Sequence, residues 1–413
     1  MARWSDYSTG QRIKILRGKD IRQSDLAEMT GLSLPTIQQA EQDKRLTLQT
    51  LLLVADALGA DTSVLLGQQA PRRTLERDDR AIMRDMARAV HDTSAGILPG
   101  TVTAPTLETL SQHVQRCWEL YWQGRYLEVG ALTGPLITEA GARLREQPDG
   151  ERAEAWGVLS DTYRLAAYVA NLMGARDLAY AAIGHARHAA SQAADGLSSA
   201  LVGSGRAWVY LRDARTEDAL ALAEKAAVDI EPRFSRATTE ELAVYGCHIN
   251  FAAVVASRLG NKDLTEDYLS QSHAVGARMG REAKARGAVF GPVTATAQAV
   301  GIYAALRLPG KALGLIADIK PKQTQALSEA ARNRYAVDKA MAQADAKLWD
   351  ACLDTLEEVL IAAPEWSRHQ ALPSVIVDKI GRESTSRLRR VQKLIAQVSD
   401  GVDAIPSTTR AAV

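Results

Sequence analysis

Gln23-Ser24-Asp25-Leu26-Ala27-Glu28-Met29-Thr30-Gly31-Leu32-Ser33-Leu34-Pro35-Thr36-Ile37-Gln38-Gln39-Ala40-Glu41 spaces small, apolar and turn-forming residues as two short helices meeting at a tight corner. Leu26 and Ala27 supply the inner face of the first helix, and Ala27 is small where the second must cross close to it. Gly31 permits the left-handed turn that ends the first helix. Leu32 plugs the corner and Ser33 is placed to cap the second helix. Pro35 falls in that helix's first turn, where its missing N–H costs nothing. With Ile37 turned inward, Leu34, Pro35, Gln38 and Gln39 face outward.

Working outward, residues 8–67 divide into five short helical segments punctuated by Gly10, Gly18, Gly31, Gly59 and Gly67. This unit resembles the helix-turn-helix of the Xre/Cro-type repressor family. Ile13 and Leu16 match helix one, Thr47–Gly59 the fourth helix and Val64–Gly67 the fifth. The resemblance implies a lambda-repressor-like DNA-binding domain over residues 8–69. Its second helix of the pair would enter the major groove of double-stranded DNA. On that pattern Gln23 opens helix two against a phosphate, and Gln38 and Gln39 read bases, glutamine being able to pair with adenine N6 and N7. Arg12, Lys44 and Arg45 would hold backbone phosphates. Arg22 stands where a capping Ser or Thr is usual and adds a phosphate-seeking charge, while Leu34, Pro35 and Thr36 form the front of the recognition helix. Leu34 and Pro35 replace a polar pair common there, leaving apolar contact with a thymine methyl. Residues 1–69 hold eight basic and eight acidic side chains, so DNA affinity must come from a local patch rather than a field of the whole domain.

The full chain of 413 residues exceeds one ordinary core and predicts more than one unit. With 50 Lys and Arg against 49 Asp and Glu, no global charge advertises a polyanionic partner. Abundant alanine, 5% aromatic residues and almost no strand signal point to an all-α chain. Cys117, Cys247 and Cys352 lie far apart, so reduced thiols and a cytoplasmic location are expected, with no signal peptide and no membrane span. Residues 70–105 read as a linker holding one charged helix. On that helix Arg73, Arg77, Arg80, Arg84 and Arg88 form a stripe that suits either a solvated face or a dimer or phosphate contact.

From residue 106 to about 399 come a dozen long helical patterns, with a loose tail at 400–413. Turns at Gly124-Arg125-Tyr126, Gly174-Ala175-Arg176-Asp177, Asp213-Ala214-Arg215, Gly260-Asn261-Lys262-Asp263 and Pro309-Gly310-Lys311 recur at the period of a helix-pair solenoid. Trp156, Leu159, Ser160 and Tyr163, followed by Ala179, Ile183 and Ala186, resemble a tetratricopeptide repeat with a longer first helix. Asp161, Arg164, Tyr168 and Asn171 share one stripe, Arg206 and Tyr210 repeat part of it, and Asn250 takes the Arg164 register in a later helix. Such side chains can hold a peptide's amides and carboxylate.

A Cro-type head with such an array is similar to Gram-positive regulators that sense peptides and to actinobacterial Xre-type regulators. The layout implies a homodimer with a peptide, small-molecule or protein effector. The alternative is a protein-interaction scaffold whose head is structural or only targets it to DNA. No phosphate loop and no catalytic constellation is present, so an enzyme is not expected. His185 and His188 lack a third ligand, so no metal or cofactor is expected either. Gly203-Ser204-Gly205, with no preceding strand, reads as a close helix contact rather than a nucleotide loop.

Overall fold

A computed structural model of the protein describes residues 7–18, 21–44, 47–58, 60, 65, 77–146, 149–370, 372–383 and 390. Among them are twenty α-helices and one two-stranded hairpin, so the all-α expectation holds apart from that hairpin. The chain separates into two compact units, 1–78 and 79–413. No helix among the described residues is long and apolar enough to cross a membrane.

The first unit contains α1 (Thr9–Arg17), α2 (Gln23–Thr30), α3 (Leu34–Glu41) and α4 (Leu48–Ala57). Ile13, Leu26, Ile37, Val54 and Leu65 are wholly buried in one cluster, which Leu32 joins from its edge. Ser8 caps α1 in a reciprocal box with Gln11, so two backbone donors of the first turn are satisfied. Gly10 has no room for a side chain, because a Cβ there would sit 2.6 Å from the carbonyl oxygens of Ala40 and Glu41. The expected fifth helix falls mostly outside the described residues, Leu65 excepted.

The second unit begins within α5 (Arg77–Ser94), which from Asp79 onward belongs to it and lies against α7 (Tyr126–Glu146). A Cβ on Gly130 would meet Ile82 Cγ2 at 2.7 Å, and Met86 and Val90 are fully buried. The expected linker helix is therefore part of the second unit's packing. Arg84 and Arg88 lie on its exposed side, whereas Arg73 and the Arg77 and Arg80 side chains lie outside the described set.

Six helix pairs follow. They are α6 (Leu107–Gln123) with α7, α8 (Arg152–Leu172) with α9 (Arg176–Ala193), and α10 (Gly196–Arg212) with α11 (Thr216–Asp229). Next come α12 (Thr239–Arg258) with α13 (Lys262–Met279), α14 (Pro292–Ala305) with α15 (Pro309–Asp318), and α17 (Glu329–Asp345) with α18 (Trp349–Ala362). Short α16 (Pro321–Thr324) and α19 (Pro364–Arg368), then α20 (Leu372–Glu383), complete the described helices.

Each pair turns on one left-handed residue: Gly124, Gly174, Ala214, Gly260, Arg307 and Lys347. Three of these six are not glycine; the fifth turn lies at residues 306–308, just ahead of the expected Pro309-Gly310-Lys311, and the sixth, at Lys347, has no glycine to mark it. Small residues let the paired helices approach. Ala179, Ile183 and Ala186 are buried, Ser160 donates to the Ala186 carbonyl, and Gly205 leaves room for Ile183 and Tyr168.

The hairpin pairs β1 (Ala283–Ala285) with β2 (Ala288–Phe290), Ala285 opposite Ala288. Its two turn residues, Arg286 and Gly287, have φ of 49° and 78°, as a two-residue hairpin of primed type requires. Phe290 fills the space that Gly246 of α12 leaves open.

Candidate functional site

In the first unit, local sequence aims α3 outward. Gly31 ends α2 in the left-handed region at φ 67°, and the Ser33 hydroxyl accepts the Thr36 N–H at 3.3 Å. Pro35 sits in the first turn and Ile37 points into the core. Leu34, Pro35, Gln38 and Gln39 are consequently exposed together, with Thr36 half-buried beside them. Arg22 is exposed at the start of α2, its N–H donating to the Asp25 carboxylate. Lys44 is exposed in the turn after α3. That turn is tied back to α1, because the Asp43 carboxylate accepts the Gly10 N–H at 2.7 Å and the Ser8 hydroxyl. Arg45 lies outside the described residues.

Two expected phosphate contacts are placed elsewhere. Arg12 is buried and donates to the Leu65 carbonyl at 3.1 Å, so its charge serves the interior of the head. Gln23 is half-buried and donates to Glu41 Oε2 at 2.6 Å. Glu41 also takes Arg17 Nε at 2.5 Å, and Arg17 Nη1 reaches the Ile21 carbonyl at 2.5 Å. One buried carboxylate thus joins α1, α2 and α3 and fixes the angle at which α3 is presented.

In the second unit, the tip of the hairpin reaches α6 and α8. The Gly287 carbonyl accepts the Trp122 indole N–H at 2.9 Å, and a Cβ on Gly287 would lie 2.5 Å from the Trp118 ring. Arg164 is 1% exposed, stacks 4.3 Å from the Trp118 ring centroid, and donates to Asp161 Oδ1 and to the Arg286 carbonyl. The Arg286 side chain reaches Asp195, Glu240 and Ser198. Burial alone would raise the Asp195 carboxyl, but the Arg286 guanidinium and the Ser198 contacts hold it below its usual range. Beside this tip two adjoining hollows, of about 390 and 320 Å³, meet at Ser111, Val114, Asp161 and Arg286.

The stripe expected to hold a peptide is not one continuous surface. Asp161 borders both hollows and Arg164 lies beneath them, covered by Trp118 and the hairpin. Tyr168 packs edge-on to Trp118 in an aromatic cluster with Tyr121 and Trp208. Asn171 is buried, accepting from Arg176, and Asn250 is buried, accepting from Ser272 Oγ at 3.1 Å. Arg206 and Tyr210 bond each other at 3.2 Å, and Arg215 stacks 4.0 Å from the Tyr210 ring centroid. Close packing of alanine-rich helices has turned most of these polar side chains into interhelix or intrahelix partners.

Residues 13–65 match the helix-turn-helix family model. The match spans the cluster that seats α3 and supports a DNA-binding transcriptional regulator. A sequence comparison with curated proteins gives no match. Among solved structures, ComR from S. thermophilus, in complex with DNA and its signalling peptide ComS, aligns with 65% of this chain and 100% of that one. Its identity is 17% and its TM-score 0.21.

Within this helix-turn-helix, sequence reasoning missed the Arg17–Glu41 pair, although a basic residue at a helix end and an acidic one on an otherwise inward face were available signals. The hairpin was missed because its strands are three residues long and its turn is Arg-Gly rather than Asn-Gly. His185 and His188 lie against the rings of Tyr163 and Trp156. Cys247 donates to the Val289 carbonyl at 3.3 Å, and burial pushes its thiol up to about 12.

Proposed function

We propose that this protein is an Xre-type transcription regulator that binds double-stranded DNA as a homodimer and whose helical domain receives an effector. The observation that carries the reading is the exposed face of α3, with Leu34, Pro35, Gln38 and Gln39 on a capped helix inside the matched segment. Gln38 and Gln39 supply donor and acceptor groups for base edges, and Leu34 and Pro35 supply apolar contact for thymine methyls. Arg22 and Lys44, exposed at either end of the helix pair, are the phosphate contacts of this reading. Gln23 and Arg12 act behind them, as braces.

One recognition helix covers a half-site only, so two heads spaced about 34–36 Å apart give useful specificity. The effector is a peptide, a small molecule or a protein received by the helical repeat domain, and the hollows beside the hairpin are where that domain offers concave, mixed polar and apolar surface. Binding there biases the spacing of the two heads between two states.

The test is footprinting of the full chain on DNA from its own promoter region, at several salt concentrations, with and without Gln38→Ala/Gln39→Ala. A discrete footprint that the double substitution abolishes or shifts is expected. An unchanged footprint would remove the base-reading role, and binding without any sequence preference would favour a scaffold that is merely held on DNA.

A further inference from the structure

The walls of the two hollows carry the carboxylates Glu119, Glu154, Asp161 and Asp195. Glu154 is exposed and has no ion-pair partner among the described residues, and Glu119 meets Arg116 only at 3.4 Å between exposed side chains. Among the described residues that line the trench, the exposed Lys284 of the hairpin borders the smaller hollow, and one guanidinium enters from the hairpin tip. Arg286 is gripped there by Asp195, Glu240 and the Ser198 hydroxyl. Two carboxylates and a hydroxyl converging on a guanidinium at the end of a two-residue turn is the way a peptide's arginine would be held.

A second observation comes from the wall itself. Trp118 is 4% exposed and borders the smaller hollow, yet its buried indole N–H has no hydrogen-bond partner among the described residues. A buried donor of this kind calls for an acceptor, and a peptide carbonyl is one. Trp122 already satisfies the same need through the Gly287 carbonyl.

Resting on the reading of the helical domain as an effector domain, we infer that the trench takes a short basic peptide. The peptide's arginine or lysine competes with Arg286 for Asp195 and Glu240, and its backbone carbonyl meets Trp118. Arg286 thus occupies the cation position of the site until the ligand arrives, and its release frees the hairpin tip from the start of α10 and from α12.

The experiment titrates the full-length protein with the tetrapeptides Ala-Ala-Arg-Ala, Ala-Ala-Glu-Ala and Ala-Ala-Leu-Ala, reading calorimetry and tryptophan emission. DNA affinity is measured beside each. The arginine peptide should bind about fivefold or more tighter than the others. Glu154→Gln, at an exposed position in the first turn of α8, should weaken it about threefold. Arg286→Gln should tighten it, because Asp195 and Glu240 are freed. No preference for arginine, or an arginine affinity indifferent to both substitutions, overturns the proposal. A glutamate or leucine peptide that binds and alters DNA affinity overturns the basic-ligand assignment while keeping the effector reading. The arginine peptide binding as expected without altering DNA affinity keeps the site and removes the effector reading. Binding by none of the three overturns both.

Discussion

Replacing Glu41 by Gln changes one atom type in the first unit and removes the only charge that satisfies Arg17 among the described residues. The Glu41 side chain is 4% exposed and that of Arg17 12%, so the charge left behind has little water to turn to. Oε1 of Glu41 takes Arg17 Nε, while Oε2 takes both Arg17 Nη2 and the Gln23 amide. A glutamine at 41 must set its own NH2 group against one of those donors. Breaking a buried pair from one side costs about 3–5 kcal/mol, and an isosteric amide that keeps one acceptor should fall near the lower end, ~3 kcal/mol. A unit of this size has a total stability of roughly 3–9 kcal/mol, so the loss is a large fraction of it. The assay is amide hydrogen exchange resolved by peptide. Protection in α1, α2 and α3 should fall about 100-fold, since each tenfold is worth ~1.4 kcal/mol, while α8 and α9 stay unchanged. The double change Arg17→Met/Glu41→Leu, which removes both charges, should restore much of the loss. A loss below ~0.5 kcal/mol for Glu41→Gln, or a double variant less stable than the single, would refute a brace built on a buried charge pair.

Two further outcomes concern the helical domain. Gly287→Ala places a side chain at φ 78° and into the Trp118 ring, so the hairpin tip should detach and tryptophan emission shift to the red; unchanged emission would mean that the tip does not rest on Trp118. His248 is fully buried, and desolvation lowers its pKa against the help of two backbone carbonyls. A lowered folded pKa favours the neutral ring, so stability is complete above the unfolded value of about 6.5 and is lost as pH falls below it. Urea midpoints of the helical domain should therefore drop between about pH 6.5 and 5, and His248→Gln should flatten that slope; an equal slope in both proteins would contradict it.

The corner at Gly31 and Ser33 was legible in the sequence because it depends on local rules: one left-handed residue, one cap, one inward isoleucine. The same is true of the turns at Gly124, Gly174 and Gly260. Ala214, Arg307 and Lys347 adopt the same left-handed geometry without glycine. Ala214 is marked by the adjacent Asp213 and Arg215 and Arg307 only nearly, through Pro309, whereas Lys347 is flanked by Ala346 and Leu348, which mark no turn. The sites fared less evenly. Helical periodicity assigns a long cation to the surface by default, so Arg12 and Arg164 read as contacts for a partner. Their burial is decided by residues far along the chain, Leu65 for one and Trp118 with Arg286 for the other, and no local pattern carries that information. Gln38 and Gln39, whose exposure follows from the register of α3 alone, lie where the pattern puts them.

The most direct measurement of the central claim is a contact map from α3 itself. With Gln38 replaced by p-benzoylphenylalanine and the protein bound to a duplex selected from a random library, irradiation should crosslink position 38 to bases at one fixed place in each half-site. The same crosslinks should disappear on duplexes that fail selection. Crosslinks spread evenly along the duplex, or none at all while binding persists, would show that α3 does not read DNA.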